Sequence, residues 1–121
     1  MAGSITVEHD SRGAEIVVLA GEIDLGDQEA FQEAIDRAWT LAPAIIIDLS
    51  QATFFDSAIL MVIMQALRRA EASDRETLTL VVPLRSHANR LLILSGFTQL
   101  LMPVAETRDE IFQAWEQDAG Q

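Results

Sequence analysis

The sequence of 121 residues contains no cysteine and no lysine; all eight of its basic residues are arginine. Without cysteine there can be no disulfide, no thiolate metal site and no thiol nucleophile, and a reducing compartment suits such a chain. Long apolar runs are missing as well. Nothing approaches the roughly 18 residues that span a bilayer, and the opening "MAGSITVEHD" has neither the basic nor the apolar region of a secretory leader. The expectation is a cytoplasmic protein with no direct membrane insertion. Positive charge is scarce too: nineteen acidic residues against eight basic ones leave a net charge of -11. Such a surface repels phosphate backbones and anionic lipid, so nucleic acid is excluded as a first partner and another protein is favoured. Half of the residues are hydrophobic, in periodic order, which argues against extended disorder. Disorder is expected only at Met1 to Ser4 and over the last four residues. The length fits one domain, residues 1–121 with a core of about 5–115, able to bury about two-thirds of its unfolded surface.

The order of patterns is that of an α/β protein. "SITVEHD" and "AEIVVLAGEI", joined at Arg12-Gly13, predict an opening β-hairpin. From Asp27 the spacing becomes helical, with Phe31, Ile35, Ala38 and Trp39 on one face, and this helix ends before Pro43. "AIIIDL" is a continuous β-branched run, as expected of a central strand covered on both faces, with Asp48 capping or bracing a following loop "SQATFF". A second helix is predicted from about Ser57 to Ala72, then a strand "TLTLVV". A third helix in "SHANRLLILSGF" has Ser86 as N-cap, Leu91, Leu92 and Ser95 on one face, and Gly96 as its stop. "LLMPVA" suggests a short last strand. Thr107 and Glu110 have capping-box spacing, opening a helix that buries Ile111, Phe112 and Trp115. Strand, helix and strand in succession call for right-handed crossovers. The whole reads as a mixed β-sheet with helices packed on it.

One segment, "FFDSAILMVIMQALRRA", poses a question of chemistry, because a lone hydroxyl stands at the mouth of an apolar helix. At about 100° per residue, Ile59, Ile63, Leu67 and Ala70, with Ala66 and Leu60, form the core stripe. Ser57, Met61, Met64, Gln65 and Arg68 fall on the opposite side. Met61 and Met64 are either an adaptable docking surface or filler beneath a neighbouring loop or the third helix. Ser57 is either the N-cap or a phosphorylation site, where phosphate would meet the helix dipole and free N–H groups.

"GEIDLGDQEAFQEAI", "AIIIDLSQATFFDSAIL" and "LLILSGFTQLL" resemble the three motif blocks of the STAS domain, the family of sulfate transporters and anti-sigma factor antagonists. The resemblance covers about Ile5 to Trp115. It implies a single STAS-like domain, and for the antagonist branch it implies that Ser57, after Asp56, is phosphorylated by an anti-sigma factor that is itself a serine kinase of the histidine-kinase ATPase type. Asp24 corresponds to the family's aspartate near the same surface. The partner surface so implied comprises Asp24, Asp56, Ser57, Ala58, Met61 and Met64. One position departs: "DSAIL" carries Ile59 where the D-S-x-G-L motif has glycine. Either the partner contact is altered or, as the helical wheel indicates, the core is thickened.

Other chemistries find no apparatus. A receiver domain would use Asp48 with an acidic pair and a lysine, and there is no lysine. No P-loop, G-x-G-x-x-G turn or G-x-S-x-G elbow is present. His9 and His87 stand apart, without a ligand cluster, and read as surface or strand-edge residues. The sequence therefore predicts a binding protein without catalytic residues, metal or cofactor, working as a phospho-switchable anti-sigma factor antagonist. A constitutive STAS adaptor subunit of a stress-signalling scaffold or a lipid-transport ATPase complex is the alternative. The oligomeric state is left open.

Overall fold

The alternating residues at the start of the chain form the antiparallel pair β1 (Ser4–Asp10) and β2 (Ala14–Ile23), in register from Ser4↔Ala20 to Asp10↔Ala14. The structure, a computed structural model, describes residues 3–73, 78–96 and 104–119, residues 118 and 119 by backbone alone. Ser4, expected in a disordered end, is instead the first rung of β1, because β2 supplies partners for its backbone. At the other end Asp118 and Ala119 continue the last helix, while residues 1, 2, 120 and 121 lie outside the described residues.

After a single 3-10 turn (Leu25–Asp27) come α1 (Gln28–Leu41), β3 (Ala44–Phe55), α2 (Ser57–Ala72), β4 (Leu78–Val81), α3 (His87–Leu94), β5 (Val104–Ala105) and α4 (Arg108–Ala119). Residues 100–103 of the predicted last strand, and all of the third motif block beyond Gly96, lie outside the described residues. The sheet runs β1-β2-β3-β4-β5, with β2 to β5 parallel. Stepping one strand at a time in one direction with right-handed crossovers puts every crossover helix on the same face. That face holds the larger core: Val17, Leu19, Ile45, Ile47 and Leu80 meet Phe31 and Ile35 of α1, Ile59 and Ile63 of α2, and Leu92 of α3. Residues of opposite parity, Ile16, Val18, Ile46 and Val81, turn to Ile111 and Phe112 of α4. The central run of β3 is thus covered on both faces as its composition predicts. Each fully buried Ile, Leu or Val stabilises the fold by about 1.5–3 kcal/mol against exposure.

"SQATFF" is not a loop. β3 continues through it: after one register slip past Val18↔Asp48 it pairs with β2 from Ala20↔Gln51 to Ile23↔Phe55, across a second slip. Gly21, at φ +77°, sits at the second slip, in a conformation that a side chain would strain. Asp48 consequently lies within the strand, 3% exposed. Its Oδ1 accepts from the Ser50 N–H at 2.9 Å and its Oδ2 from Arg108 Nε at 2.7 Å. Arg108 Nη1 also reaches Glu8 Oε2 at 2.7 Å, so one guanidinium joins α4 to β1 and β3. Burial disfavours its charge, but the two carboxylates outweigh that and raise its pKa above the ordinary value.

Trp39, predicted as core, is half-buried. The Arg69 guanidinium lies 4.4 Å from its ring centre and donates to Asp36 Oδ1 at 2.7 Å, joining α2 to α1. Ser86 caps α3 through the Asn89 N–H at 3.1 Å, and Gly96 follows its end at φ +76°. Ser95 is exposed rather than on the buried face: it stands beyond the last helical residue, with its hydroxyl donating to the Leu91 carbonyl at 2.7 Å, and Ala88 fills the core position. Thr107 and Glu110 form the reciprocal capping box. Trp115 is half-buried, edge-on to Phe112 with ring centres 5.2 Å apart.

The hairpin turn yields a pH prediction. Arg12 donates to both oxygens of Asp10 at 2.9 Å and lies 3.4 Å from the Phe112 ring centre. Its side-chain and backbone hydrogen bonds hold the Asp10 carboxyl at about 2, below the ordinary 3.8. A depressed folded-state pKa contributes stability that is present above the unfolded value and lost as pH falls from about 4 through about 2. An NMR titration of Asp10 should have its midpoint near 2. Arg12→Ala should move it back toward 3.8.

Candidate functional site

Two neighbouring parallel strands end side by side, Ile23 opposite Phe55, and each is followed by an aspartate. Asp24 caps the 3-10 turn: its Oδ1 accepts from the Gly26 N–H at 2.9 Å, while Asp27 Oδ2 accepts from the Asp24 N–H at 3.0 Å. Asp56 caps α2: its Oδ1 accepts from the N–H groups of Ala58 at 3.0 Å and Ile59 at 3.3 Å. The Asp56 N–H donates to the Ile23 carbonyl at 3.3 Å and tethers the start of α2 to the end of β2. Both carboxylates are thus positioned by the same need, that of orphan N–H groups where a helix begins at a strand tip.

This arrangement removes the N-cap role from Ser57. The N-cap is Asp56, and Ser57 is the first helical residue. Ser57 is exposed, and its hydroxyl has no hydrogen-bond partner among the described residues. One anticipated feature is corrected at the same time: the N–H groups of Ala58 and Ile59 are not free for a phosphate, since the Asp56 carboxylate already holds them.

The methionine row is shorter than predicted. Met61, one turn beyond Ser57, is 49% exposed, but Met64 is half-buried and packs against the core beside Leu60 and Leu67. Seven residues on, the helix has drifted about 20° toward that flank, enough to fold a flexible thioether inward. Ala58 is half-buried beside Ser57. Ile59 has no exposed surface and belongs to the core, so its replacement of the motif glycine fills the interior and does not reach the surface.

Two exposed apolar residues not anticipated from the sequence lie at the strand ends. Leu25, in the 3-10 turn, is 65% exposed, and Phe54, at the end of β3, is 44% exposed. Each carried a signal: Leu25 is an apolar residue in a turn with no periodic partner, and of two adjacent phenylalanines in a strand one must face outward. The strand tips therefore offer an exposed hydroxyl (Ser57), exposed apolar side chains on α2 and the 3-10 turn (Met61, Leu25) and acids at the two caps (Asp24, Asp27, Asp56), while Phe54, of opposite parity to the buried Phe55, looks to the other face of the sheet. Such a surface at the tips suits protein docking.

Among the described residues no group of three or more His, Asp or Glu side chains could hold a metal ion. Asp48 points to the α4 face and is engaged by Arg108, away from Asp24 and Asp56. His9 is an edge-strand residue whose Nδ1 contacts Glu15 Oε1 on β2, and His87 is exposed at the start of α3. No helix among the described residues is long and apolar enough to cross a membrane.

Residues 7–103 match a protein family described as Mlab, STAS domain. No curated protein sequence matches the chain. Solved structures with this fold include an anti-sigma factor antagonist from Mycobacterium paratuberculosis, 24% identical, covering 93% of each chain with a TM-score of 0.78. The unphosphorylated anti-sigma factor antagonist SpoIIAA is 21% identical over 98% of this chain and 100% of its own, with a TM-score of 0.70. The phosphorylated form of the Bacillus cell fate determinant SpoIIAA is 20% identical over 92% of this chain and 98% of its own, with a TM-score of 0.66. At these identities the likeness concerns the fold.

Proposed function

The chain belongs to the STAS family, and from that premise we propose that it is an anti-sigma factor antagonist, a cytoplasmic binding protein switched by phosphorylation of Ser57. Unphosphorylated, it grips an anti-sigma serine kinase of the histidine-kinase ATPase type and so frees a sigma factor. Leu25 and Met61 supply the apolar contact, Met64 supports it from below, and Asp24, Asp56 and Ala58 frame the hydroxyl. The observation that carries this reading is the exposed hydroxyl of Ser57 at the first position of α2, without a hydrogen-bond partner among the described residues and one turn from the exposed Met61.

In the switching step Ser57 Oγ attacks the γ-phosphorus of ATP held by the kinase. The new O–P bond forms as the bond to the β,γ-bridging oxygen breaks, ADP leaves, and the hydroxyl proton passes to a base of the kinase. The product carries about -1.5 to -2 units of new charge. The helix dipole favours that charge, but Asp56 has already taken the nearest N–H groups and adds repulsion. The phosphate is therefore left facing outward, where it meets the partner and expels it by desolvation and like charge. Mass spectrometry after incubation with the cognate kinase and ATP should place the phosphate on Ser57, and phosphate found on another residue sinks the proposal.

A second reading keeps the surface and drops the switch: a constitutive adaptor subunit of a stress-signalling scaffold or a lipid-transport ATPase complex. The observation on its side is that the matching family is described as Mlab and not as a sigma-factor antagonist. Under it, a charge at residue 57 would be tolerated.

A further inference from the structure

β1 lies at one edge of the sheet: it runs seven residues, Ser4–Asp10, and among the described residues it has a partner on one side only. Natural edges of that length are guarded by proline, lysine or free charges that an incoming strand would have to desolvate. β1 has no proline and no lysine. Its three ionisable side chains are all committed within the protomer: Glu8 to Arg108, His9 to Glu15 and Asp10 to Arg12. Midway along lies Val7, 40% exposed on the same face as Ile5 and His9.

The order of residues also suits one particular partner. When two copies of "SITVEHD" are laid antiparallel about a two-fold axis at Val7, Val7 meets Val7, Thr6 meets Glu8, Ile5 meets His9 and Ser4 meets Asp10. All seven residues pair, and no acid stands opposite an acid. Centring the pair on Glu8 would set two carboxylates face to face, and a parallel in-register pair would do so at both Glu8 and Asp10, arrangements that destabilise a ladder. We infer that β1 is a self-association edge, at which a second copy of this chain adds its own β1 and joins the two five-stranded sheets into one. Since β2 to β5 run oppositely in the two copies, the strand tips bearing Ser57 point in opposite directions, and the dimer presents two docking surfaces at once. The net charge of -11 per copy opposes the encounter, so the association strengthens as salt screens that repulsion.

Sedimentation equilibrium of the full chain, from low micromolar to several hundred micromolar, tests this. The mass should rise from 13.3 kDa to twice that, at lower concentrations as salt goes from about 0.01 M to about 1 M and the screening length falls from about 30 Å to about 3 Å. Val7→Lys, which places two ammonium groups at the axis, should raise the dimer dissociation constant at least about tenfold. Leu94→Lys, on the exposed side of α3, should leave it unchanged. Hydrogen exchange on the unaltered chain gives a reading that depends on no variant: amides of β1 should exchange more slowly at high protein concentration. A monomer under all conditions, a dimer indifferent to Val7→Lys, or protection that appears at α3 or around Ser57 in place of β1 would each overturn the inference.

Discussion

Ser57→Asp should weaken binding to the proposed partner, an anti-sigma kinase, by about a hundredfold, while Ser57→Ala leaves the affinity within about threefold. The first change puts a permanent anion on the proposed docking surface, one turn from Met61 and beside Asp56, on a protein that is already strongly acidic. Losing about 2–3 kcal/mol at such a centre corresponds to a factor of roughly a hundred. The alanine change is mild for a structural reason: the cap of α2 is the Asp56 carboxylate, so removing the Ser57 hydroxyl costs no capping bond, and stability should stay within about 0.5 kcal/mol. Isothermal titration calorimetry of both variants against the kinase separates the switch from the adaptor. Equal affinity for the aspartate and alanine variants would remove the switch and leave only the docking surface.

Ile59→Gly, which restores the residue usual in the family motif, should destabilise the fold by about 4–5 kcal/mol. Ile59 is fully buried among α1, α2 and the sheet. Emptying such a site costs about 2–5 kcal/mol, and a glycine within a helix adds up to about 1 kcal/mol. For a domain whose total stability is about 5–15 kcal/mol, that is a large share. Urea denaturation measures it directly. A loss below about 1 kcal/mol would mean that position 59 does not support the core and that its substitution for glycine concerns the partner after all.

The elements were legible in the sequence wherever one periodicity governed a whole segment. The hairpin, α1 over Phe31 to Ala38, the start of α2 at Ser57 and the capping box of α4 all rest on spacing or on a single hydrogen-bonding motif, and local chemistry fixes those. What could not be read depended on pairing between distant segments. β3 continues through "SQATFF" because β2 is long enough to hold it, and the polar composition of that stretch gives no hint of the ladder. Asp48 looked like a residue at a strand end, since its partner Arg108 lies sixty positions away. At the site, the line from Ser57 to Met61 followed from helix geometry alone. The inward turn of Met64 required knowing what flanks α2, and Leu25 and Phe54 were placed by strand ends that no window of sequence contains.

The two slips between β2 and β3 carry a consequence for how this surface could change by insertion or deletion. Each places one surplus residue in β3 opposite an uninterrupted β2, and each absorbs one odd step, so that Leu49, Ala52 and Phe55 all reach the same interior. Loss of the surplus residue at either slip would straighten the ladder there while leaving Phe55 opposite Ile23 and Phe54 outward. A residue lost from the regular part of the strand, Ala44 to Asp48, would instead slide β3 by one and turn its core face outward. Length variation is thus admissible one residue at a time at the slips and nowhere else along β3.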